Sequence, residues 1–172
     1  MSARVAATLA CALGCALPLA IASPALAYEG QMTLEIGAGY AAASGAEMAT
    51  NGIAAEVLVS YGLNDILTLR AFGAYALHPS ADQLVTGGAD LIYMIDILTI
   101  VPYLGVGLDS VSRVNSDGLG GTALGVHATF GLDYLLSRSL YIGIEARPTY
   151  TLTGTRFLEV PVYAKLGFAF DL

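Results

Sequence analysis

The sequence predicts an all-β fold, an eight-stranded antiparallel up-and-down transmembrane β-barrel. Every second residue from Leu158 to Leu172 is apolar, and seven upstream segments repeat this period of two, which is typical of β-strands. At 15 residues, the last segment exceeds the usual soluble strand of about five or six residues and suits a tilted strand that crosses a bilayer. Tight and longer connections also alternate along the chain, as they do in membrane barrels.

The N-terminus has the features of a secretory signal peptide. Arg4 is its only charged residue, an apolar stretch runs from Val5 to Ala22, and Ala25-Leu26-Ala27 forms a small-residue cleavage site. We therefore divide the chain into a signal peptide, residues 1–27, and one barrel domain, residues 28–172.

Composition narrows the possible classes of protein. Both cysteines lie in the predicted signal peptide, so the mature chain is expected to have no disulfide and no thiol. Loss of Arg4 leaves 6 basic and 14 acidic residues, a net charge of −8 that argues against nucleic-acid binding. Hydrophobic residues make up 56% of the chain, which is high for a small soluble domain.

The longest apolar stretch, Leu91 to Leu108, contains Asp96 and Pro102, so two strands suit it better than a membrane helix.

The first four strands are predicted at Gln31–Ala42, Gly52–Gly62, Ile66–Leu77 and Leu84–Ile95. In each strand, apolar residues on the outward face alternate with polar or small residues on the inward face. The outward residues are Leu34, Ile36, Ala38 and Tyr40; Ile53, Ala55, Val57, Val59 and Tyr61; Leu67, Leu69, Ala71 and Tyr75; and Val85, Ala89, Leu91 and Tyr93.

The last four strands are predicted at Ile97–Asp109, Thr122–Tyr134, Ser139–Leu152 and Leu158–Leu172. They show the same alternation, and their inward positions carry many glycines. The outward residues of strands five to seven are Leu98, Ile100, Pro102, Leu104, Val106 and Leu108; Leu124, Val126, Ala128, Phe130, Leu132 and Tyr134; and Leu140, Ile142, Ile144, Ala146, Pro148 and Tyr150.

The connections indicate how the barrel is oriented. Three are tight turns, at Asn64-Asp65, Asp96 and Ser137-Arg138. The longer connections are Ser44–Asn51, His78–Gln83, Ser110–Gly121 and Thr153–Arg156. In bacterial barrels, tight turns and both termini face the periplasm. Aromatic residues on the outward face near the tight turns or the terminus form a predicted periplasmic girdle, namely Tyr61, Tyr93, Tyr134, Phe168 and Phe170.

In strand count, turn alternation, girdle and terminal strand, the chain resembles the small OmpA-like and OmpX-like outer-membrane barrel superfamily. The resemblance covers the whole predicted mature chain and is architectural. It implies a monomer in the outer membrane that contacts membrane lipid and lipopolysaccharide and is inserted by the barrel-assembly machinery. We expect no appended peptidoglycan-binding domain.

The inward charges are expected to form a structural ion-pair network. An eight-stranded barrel is just wide enough for its side chains to fill, and an unpaired interior charge costs several kcal/mol. The predicted network joins three bases to three acids, namely Arg70, Arg147 and Lys165 with Glu35, Glu56 and Glu145. The inward glycines either leave space for water or make room for bulky neighbours, and we favour a filled polar interior.

These features favour a structural, envelope-integrity or surface-contact role, with contacts made through Ser110–Gly121. The alternative is a passive channel or transporter for small or hydrophobic solutes, as in OmpW-like barrels. A third possibility is an enzyme that modifies lipid A, whose members of this shape use a His and a Ser two residues apart with a nearby acid. The nearest match is His127-Ala128-Thr129 with Glu145, but Thr replaces Ser and His127 faces inward. We therefore expect no catalytic residue, no cofactor and no metal site.

Overall fold

The computed structural model describes residues 29–45, 49–79, 83–95, 99–115 and 118–171. The predicted signal peptide, the turn at Asp96 and the last residue, Leu172, lie outside the described residues. The strands are β1 (Gln31–Gly45), β2 (Ala49–Gly62), β3 (Leu67–Leu77), β4 (Gln83–Met94), β5 (Ile100–Asn115), β6 (Gly118–Leu135), β7 (Leu140–Ala146), β8 (Thr149–Thr151) and β9 (Phe157–Asp171). In the part of the chain so described, no helix is long and apolar enough to cross a membrane.

The strands form one closed barrel. Consecutive strands from β1 to β7 pair antiparallel, and β9 closes the sheet by pairing with β1. Both β7 and β8 lie between β6 and β9, so they are two parts of one strand interrupted at Arg147 and Pro148. Proline has no backbone N–H to donate, but its carbonyl still accepts a hydrogen bond from Ala128 at 3.1 Å. The predicted eight-stranded up-and-down barrel is therefore confirmed.

The barrel has its apolar side chains outside and its charged side chains inside. On β3, for example, Leu69 is 50% exposed whereas its neighbour Arg70 is 3% exposed. On β6, outward residues from Leu124 to Tyr134 span ten residue steps. At ~3.3 Å per residue and a tilt of ~40°, these steps cover about 25 Å along the barrel axis. An outward apolar band of that height is typical of membrane barrels.

Two of the predicted tight turns are confirmed. The side chain of Asn64 accepts hydrogen bonds from the backbone N–H groups of Ile66 and Leu67 at 3.0 and 2.8 Å. At the second turn, the N–H groups of Leu136 and Ser137 both donate to the carbonyl of Leu140, at 2.9 and 3.0 Å. Asn favours turns because its side-chain oxygen can accept backbone hydrogen bonds, as that of Asn64 does in the first turn.

The predicted long connection Ser110–Gly121 is wrong, because β5 and β6 continue through most of it. Ser112 pairs with Thr122, and their hydroxyls lie 2.9 Å apart. The register shifts between Ser112 and Val114, where Arg113 faces both Gly120 and Gly121. Small polar residues and glycines make this segment look like a loop, but its backbone pairs as a hairpin. Residues 118–123 of β6 extend beyond the end of β8.

Candidate functional site in the barrel interior

The interior has three zones along the barrel axis. At the end of the longer connections, the loop end, lies an apolar cluster of Ala41, Ala43, Ala54, Ala76, Leu84, Val111, Phe157 and Tyr163. The middle holds charged residues that we call the ion-pair layer, namely Glu35, Glu56, Arg70, Asp90, Asp133, Glu145, Arg147 and Lys165. At the end of the tight turns, the turn end, lies a cavity. Apolar side chains thus pack together at the loop end, and charged side chains occupy the middle.

Glu145 on β7 is the centre of the ion-pair layer, and its side chain is fully buried. Arg70 donates to both of its carboxylate oxygens, at 2.6 and 3.2 Å. Arg147 also donates to Glu145, and the Tyr103 hydroxyl donates at 2.8 Å. The Lys165 ammonium lies 3.4 Å away. One carboxylate therefore faces all three permanent cations of the layer.

Arg70 also joins opposite walls of the barrel. It faces Asp90 across the β3–β4 pair and donates to both of its oxygens, from Nε at 3.0 Å and from Nη2 at 2.6 Å. The same guanidinium reaches Glu145 on β7. Two-pronged contacts of this kind match the planar guanidinium and are among the stronger ion pairs. Asp90 lies on the inward face of β4 and is not among the acids that the sequence assigns to the network.

The remaining two cations complete the layer. The Lys165 ammonium lies 2.5 Å from Glu35 and 3.5 Å from Asp133. The Arg147 guanidinium lies 2.9 Å from Glu56 and stacks 3.9 Å above the Phe72 ring. All six interior residues proposed from the sequence therefore lie within one continuous set of contacts.

A buried histidine extends this network towards the loop end. His127 Nδ1 lies 3.0 Å from Asp109, and its Nε2 lies 3.4 Å from Asp90. Thr129 donates to Asp90 at 2.9 Å. Gly107 lies between the strands that carry His127 and Asp90, where a Cβ would approach the imidazole to 2.5 Å. The His127 and Thr129 side chains therefore face the interior, a geometry that does not suit a pair acting on membrane lipid.

Two polar residues at the ends of predicted strands are buried, although His78 begins a predicted connection. His78 is 3% exposed, and its Nε2 lies 3.4 Å from Glu159. Asp109 is likewise buried, and accepts a hydrogen bond from Thr149 at 3.1 Å. Each residue lies an even number of positions after an inward residue of its strand. This period of two is the sequence signal that assigns both to the interior. Within the described ranges, no group of three or more His, Cys, Asp or Glu residues is placed to hold a metal ion.

The turn end of the interior is not filled. A cavity of about 430 Å³ opens there. Its wall consists of Gln31, Thr33, Glu35, Ser60, Gly62, Thr68, Arg70, Ile92, Met94, Val101, Tyr103, Asp133, Leu135, Arg138, Tyr141, Lys165 and Ala169. The rings of Tyr103 and Tyr141 occupy the space beside Gly131 and Gly167, where any Cβ would overlap them. The glycines therefore accommodate bulky rings, and space remains beyond those rings.

The aromatic residues of the predicted girdle lie at the turn end. Tyr61 and Phe170 both flank Met32 on neighbouring strands. Four of the five side chains are exposed on the outer surface, namely Tyr61, Tyr134, Phe168 and Phe170, and Tyr93 is half-buried.

Solved structures similar to this chain include a protein named as a surface protein and one named as an outer membrane protein, OprG of Pseudomonas aeruginosa. Neisserial surface protein A superimposes with a TM-score of 0.72 and 21% identity, over 83% of this chain and 100% of that chain. The N-terminal β-barrel domain of Pseudomonas aeruginosa OprF gives 0.65 and 18%, over 83% and 98%. Ail, the attachment invasion locus protein of Yersinia pestis, gives 0.55 and 11%, over 83% and 99%. The chain thus has the fold of the small eight-stranded outer-membrane β-barrels.

No protein-family model and no curated protein matches the sequence. The identities to the solved structures are low, so these similarities show the fold and not a shared activity.

Proposed function

We propose that this protein is an outer-membrane barrel with a closed interior and a structural or surface-contact role. The observation that carries the proposal is the ion-pair layer, in which Arg70 joins Asp90 on one wall to Glu145 on the opposite wall. On the loop-end side of Glu145, Arg147 contacts Glu56, Glu145 and the Phe72 ring. The apolar cluster then closes the loop end. These three features oppose a continuous water path through the barrel.

The proposed location rests on the outer surface of the barrel. Its apolar band of about 25 Å matches the height of bands in transmembrane barrels, and its turn-end aromatics match an interfacial girdle. Among the similar solved structures, Neisserial surface protein A is named as a surface protein and OprG as an outer membrane protein. Residues 1–27 would direct export and be cleaved, leaving Tyr28 as the first residue. The barrel would then contact membrane lipid and lipopolysaccharide as a monomer, after insertion by the barrel-assembly machinery.

Location is tested by fractionating cells that express the full chain. We expect the protein in the outer-membrane fraction, with a folded form that migrates differently from the boiled form on a gel. An N-terminal sequence beginning at Tyr28 would support the cleavage site. Recovery in the soluble fraction with no heat-dependent migration would contradict the proposal.

Single-channel recording tests the closed interior against the alternative, a passive channel for small solutes. The wild-type barrel in a planar bilayer is expected to give no reproducible conductance steps. An Arg147→Ala variant is the matched control, because it removes the guanidinium that contacts Glu56 and stacks on Phe72. Regular steps from the wild-type protein would favour the channel.

A surface-contact role has one structural basis, the hairpin of β5 and β6. Residues 118–123 of β6 extend beyond β8 at the loop end, which we propose faces the cell exterior. Deletion of residues 112–122 should leave the heat-dependent migration unchanged but abolish any cell-surface binding that the wild-type protein confers. Unchanged binding by the shortened barrel would refute the surface-contact role of this hairpin.

A further inference from the structure

The turn-end cavity has the dimensions of a ligand site. Its volume of about 430 Å³ falls within the range of small-molecule pockets, roughly 300–1,000 Å³. Leu135, the last residue of β6, lines it at the turn end, and the Tyr103 ring lies beside Gly131, four residues further into the barrel. At ~3.3 Å per residue and a tilt of ~40°, these four steps cover about 10 Å along the barrel axis. The cavity is therefore long enough for a short hydrocarbon chain that enters from the turn end.

The wall near the mouth of the cavity is apolar and accessible to a ligand. Met94 on β4, Leu135 on β6 and Ala169 on β9 line the cavity and are only partly buried. A hydrocarbon chain packed against them removes apolar surface from water, which is favourable. The rings of Tyr103 and Tyr141 extend this surface further into the barrel. The wall therefore favours a ligand with an apolar part over a bare ion.

The charges of the wall leave one cation available to a ligand. The wall has three permanent cations and two carboxylates, namely Arg70, Arg138 and Lys165, and Glu35 and Asp133. The Lys165 ammonium lies 2.5 Å from Glu35 and 3.5 Å from Asp133, and Arg70 is bound by acids that do not line the cavity. Arg138 forms no ion pair with any acid in the part of the chain that the structure describes. The available positive charge of the wall is therefore that of Arg138.

Arg138 lies at the mouth of the cavity. It belongs to the tight turn between β6 and β7, and it is exposed. The two buried carboxylates of the wall belong to the ion-pair layer, so they repel an anion that enters deeply and favour an anionic group at the mouth. A guanidinium matches the planar geometry of a carboxylate. We propose that the turn-end cavity binds a small aliphatic carboxylate, with its anionic group at Arg138 and its hydrocarbon chain against Met94, Leu135 and Ala169.

Methionine methyl NMR on the refolded barrel in lipid nanodiscs tests this proposal. Met94 lines the cavity and Met32 lies on the outward parity of β1, so the two methyl groups separate binding in the cavity from partition into lipid. The probes are hexanoate, hexanol and hexylammonium, which share one hydrocarbon chain and differ in charge. Hexanoate should shift the Met94 signal saturably, with an affinity about fivefold or more above that of either other probe. Met32 should show only the common effect of partition.

An Arg138→Gln variant should weaken hexanoate binding about threefold or more and leave the effect of hexanol unchanged, because it removes only the charge at the mouth. Arg138 is an exposed turn residue, so the variant should fold. Arg156→Gln is the matched control, since it removes the same charge from an exposed arginine in the connection between β8 and β9, at the loop end.

An Ala169→Leu variant separates binding in the cavity from binding of the anion at the membrane surface. Its larger side chain occupies part of the cavity, so hexanoate binding should weaken although Arg138 is retained. Binding that depends on Arg138 but not on residue 169 would place the anion outside the cavity and overturn the proposal. Hexylammonium binding as tight as that of hexanoate, no saturable shift of Met94, or no effect of Arg138→Gln would each overturn it too. Binding is measured independently of conductance, so its failure is distinguishable from failure of the closed interior.

Discussion

Replacement of Glu145 by Gln should destabilise the barrel more than any other isosteric change in its interior. The substitution keeps the shape of the side chain but removes the charge that faces Arg70, Arg147 and Lys165. Two Arg70 nitrogens and one Arg147 nitrogen donate to this carboxylate. A hydrogen bond to a charged group contributes about 1.5–3 kcal/mol and a neutral one about 0.5–1.5 kcal/mol. Three weakened bonds therefore cost about 3 kcal/mol, and breaking a buried ion pair typically costs about 3–5 kcal/mol.

The free energy of unfolding can be measured by urea titration of the refolded protein in lipid vesicles. The chain has no tryptophan and 10 tyrosines, so tyrosine fluorescence and circular dichroism are suitable signals. Glu159→Gln is the matched control, because Glu159 contacts the His78 imidazole at 3.4 Å rather than a permanent cation. We expect a loss of about 3–5 kcal/mol for Glu145→Gln and about 1 kcal/mol for the control.

If repulsion among the buried carboxylates dominated, the change in the free energy of unfolding would have the opposite sign. If the excess of negative charge dominated the interior, removing Glu145 would stabilise the barrel. A Glu145→Gln variant as stable as the wild type, or no less stable than the Glu159→Gln control, would therefore refute the central position given to Glu145.

Four further substitutions test other parts of the structure by the same unfolding measurement. Ile144→Arg on the outward face of β7 should cost about 2–4 kcal/mol if that face lies in the bilayer midplane, whereas Tyr61→Arg at the girdle should cost about 0–1 kcal/mol. Equal losses of stability at the two positions would contradict the depths in the membrane assigned to Ile144 and Tyr61. Arg147→Lys should cost about 1–2 kcal/mol through loss of stacking on Phe72, and no loss would count against that contact. Gly107→Ala should cost about 1–3 kcal/mol, because its Cβ would crowd the buried imidazole; a neutral effect would contradict this packing.

The sequence predicts which residues of each strand point into the barrel, because strand periodicity is a local property. A period of two assigns Arg70, Glu145 and Lys165 to the interior without any knowledge of which strands are neighbours. It fails where composition hides it, as in the glycine-rich hairpin between Ser110 and Gly121, where pairing rather than hydrophobicity maintains the strands.

Contact partners could not be predicted from alternation alone. Arg70 and Glu145 are 75 residues apart, and their contact depends on the stagger of the strands around the closed barrel. His78 was assigned to a predicted connection because a polar residue next to a proline suggests solvent exposure, although the parity of its strand assigns it to the interior. The cavity likewise depends on where the rings of Tyr103 and Tyr141 lie, which a single sequence does not specify.

Spin labelling along β7 tests most directly the central claim, that this chain is a barrel with lipid outside and ion pairs inside. Both cysteines lie in residues 1–27, so single cysteines introduced from 142 to 146 into a protein that begins at Tyr28 would be the only thiols. In lipid vesicles, labels at 142, 144 and 146 should collide often with oxygen and rarely with a water-soluble nickel complex. Labels at 143 and 145 should collide rarely with either, giving a period of two along the strand. High accessibility of residue 144 to the nickel complex, or no alternation, would contradict the account.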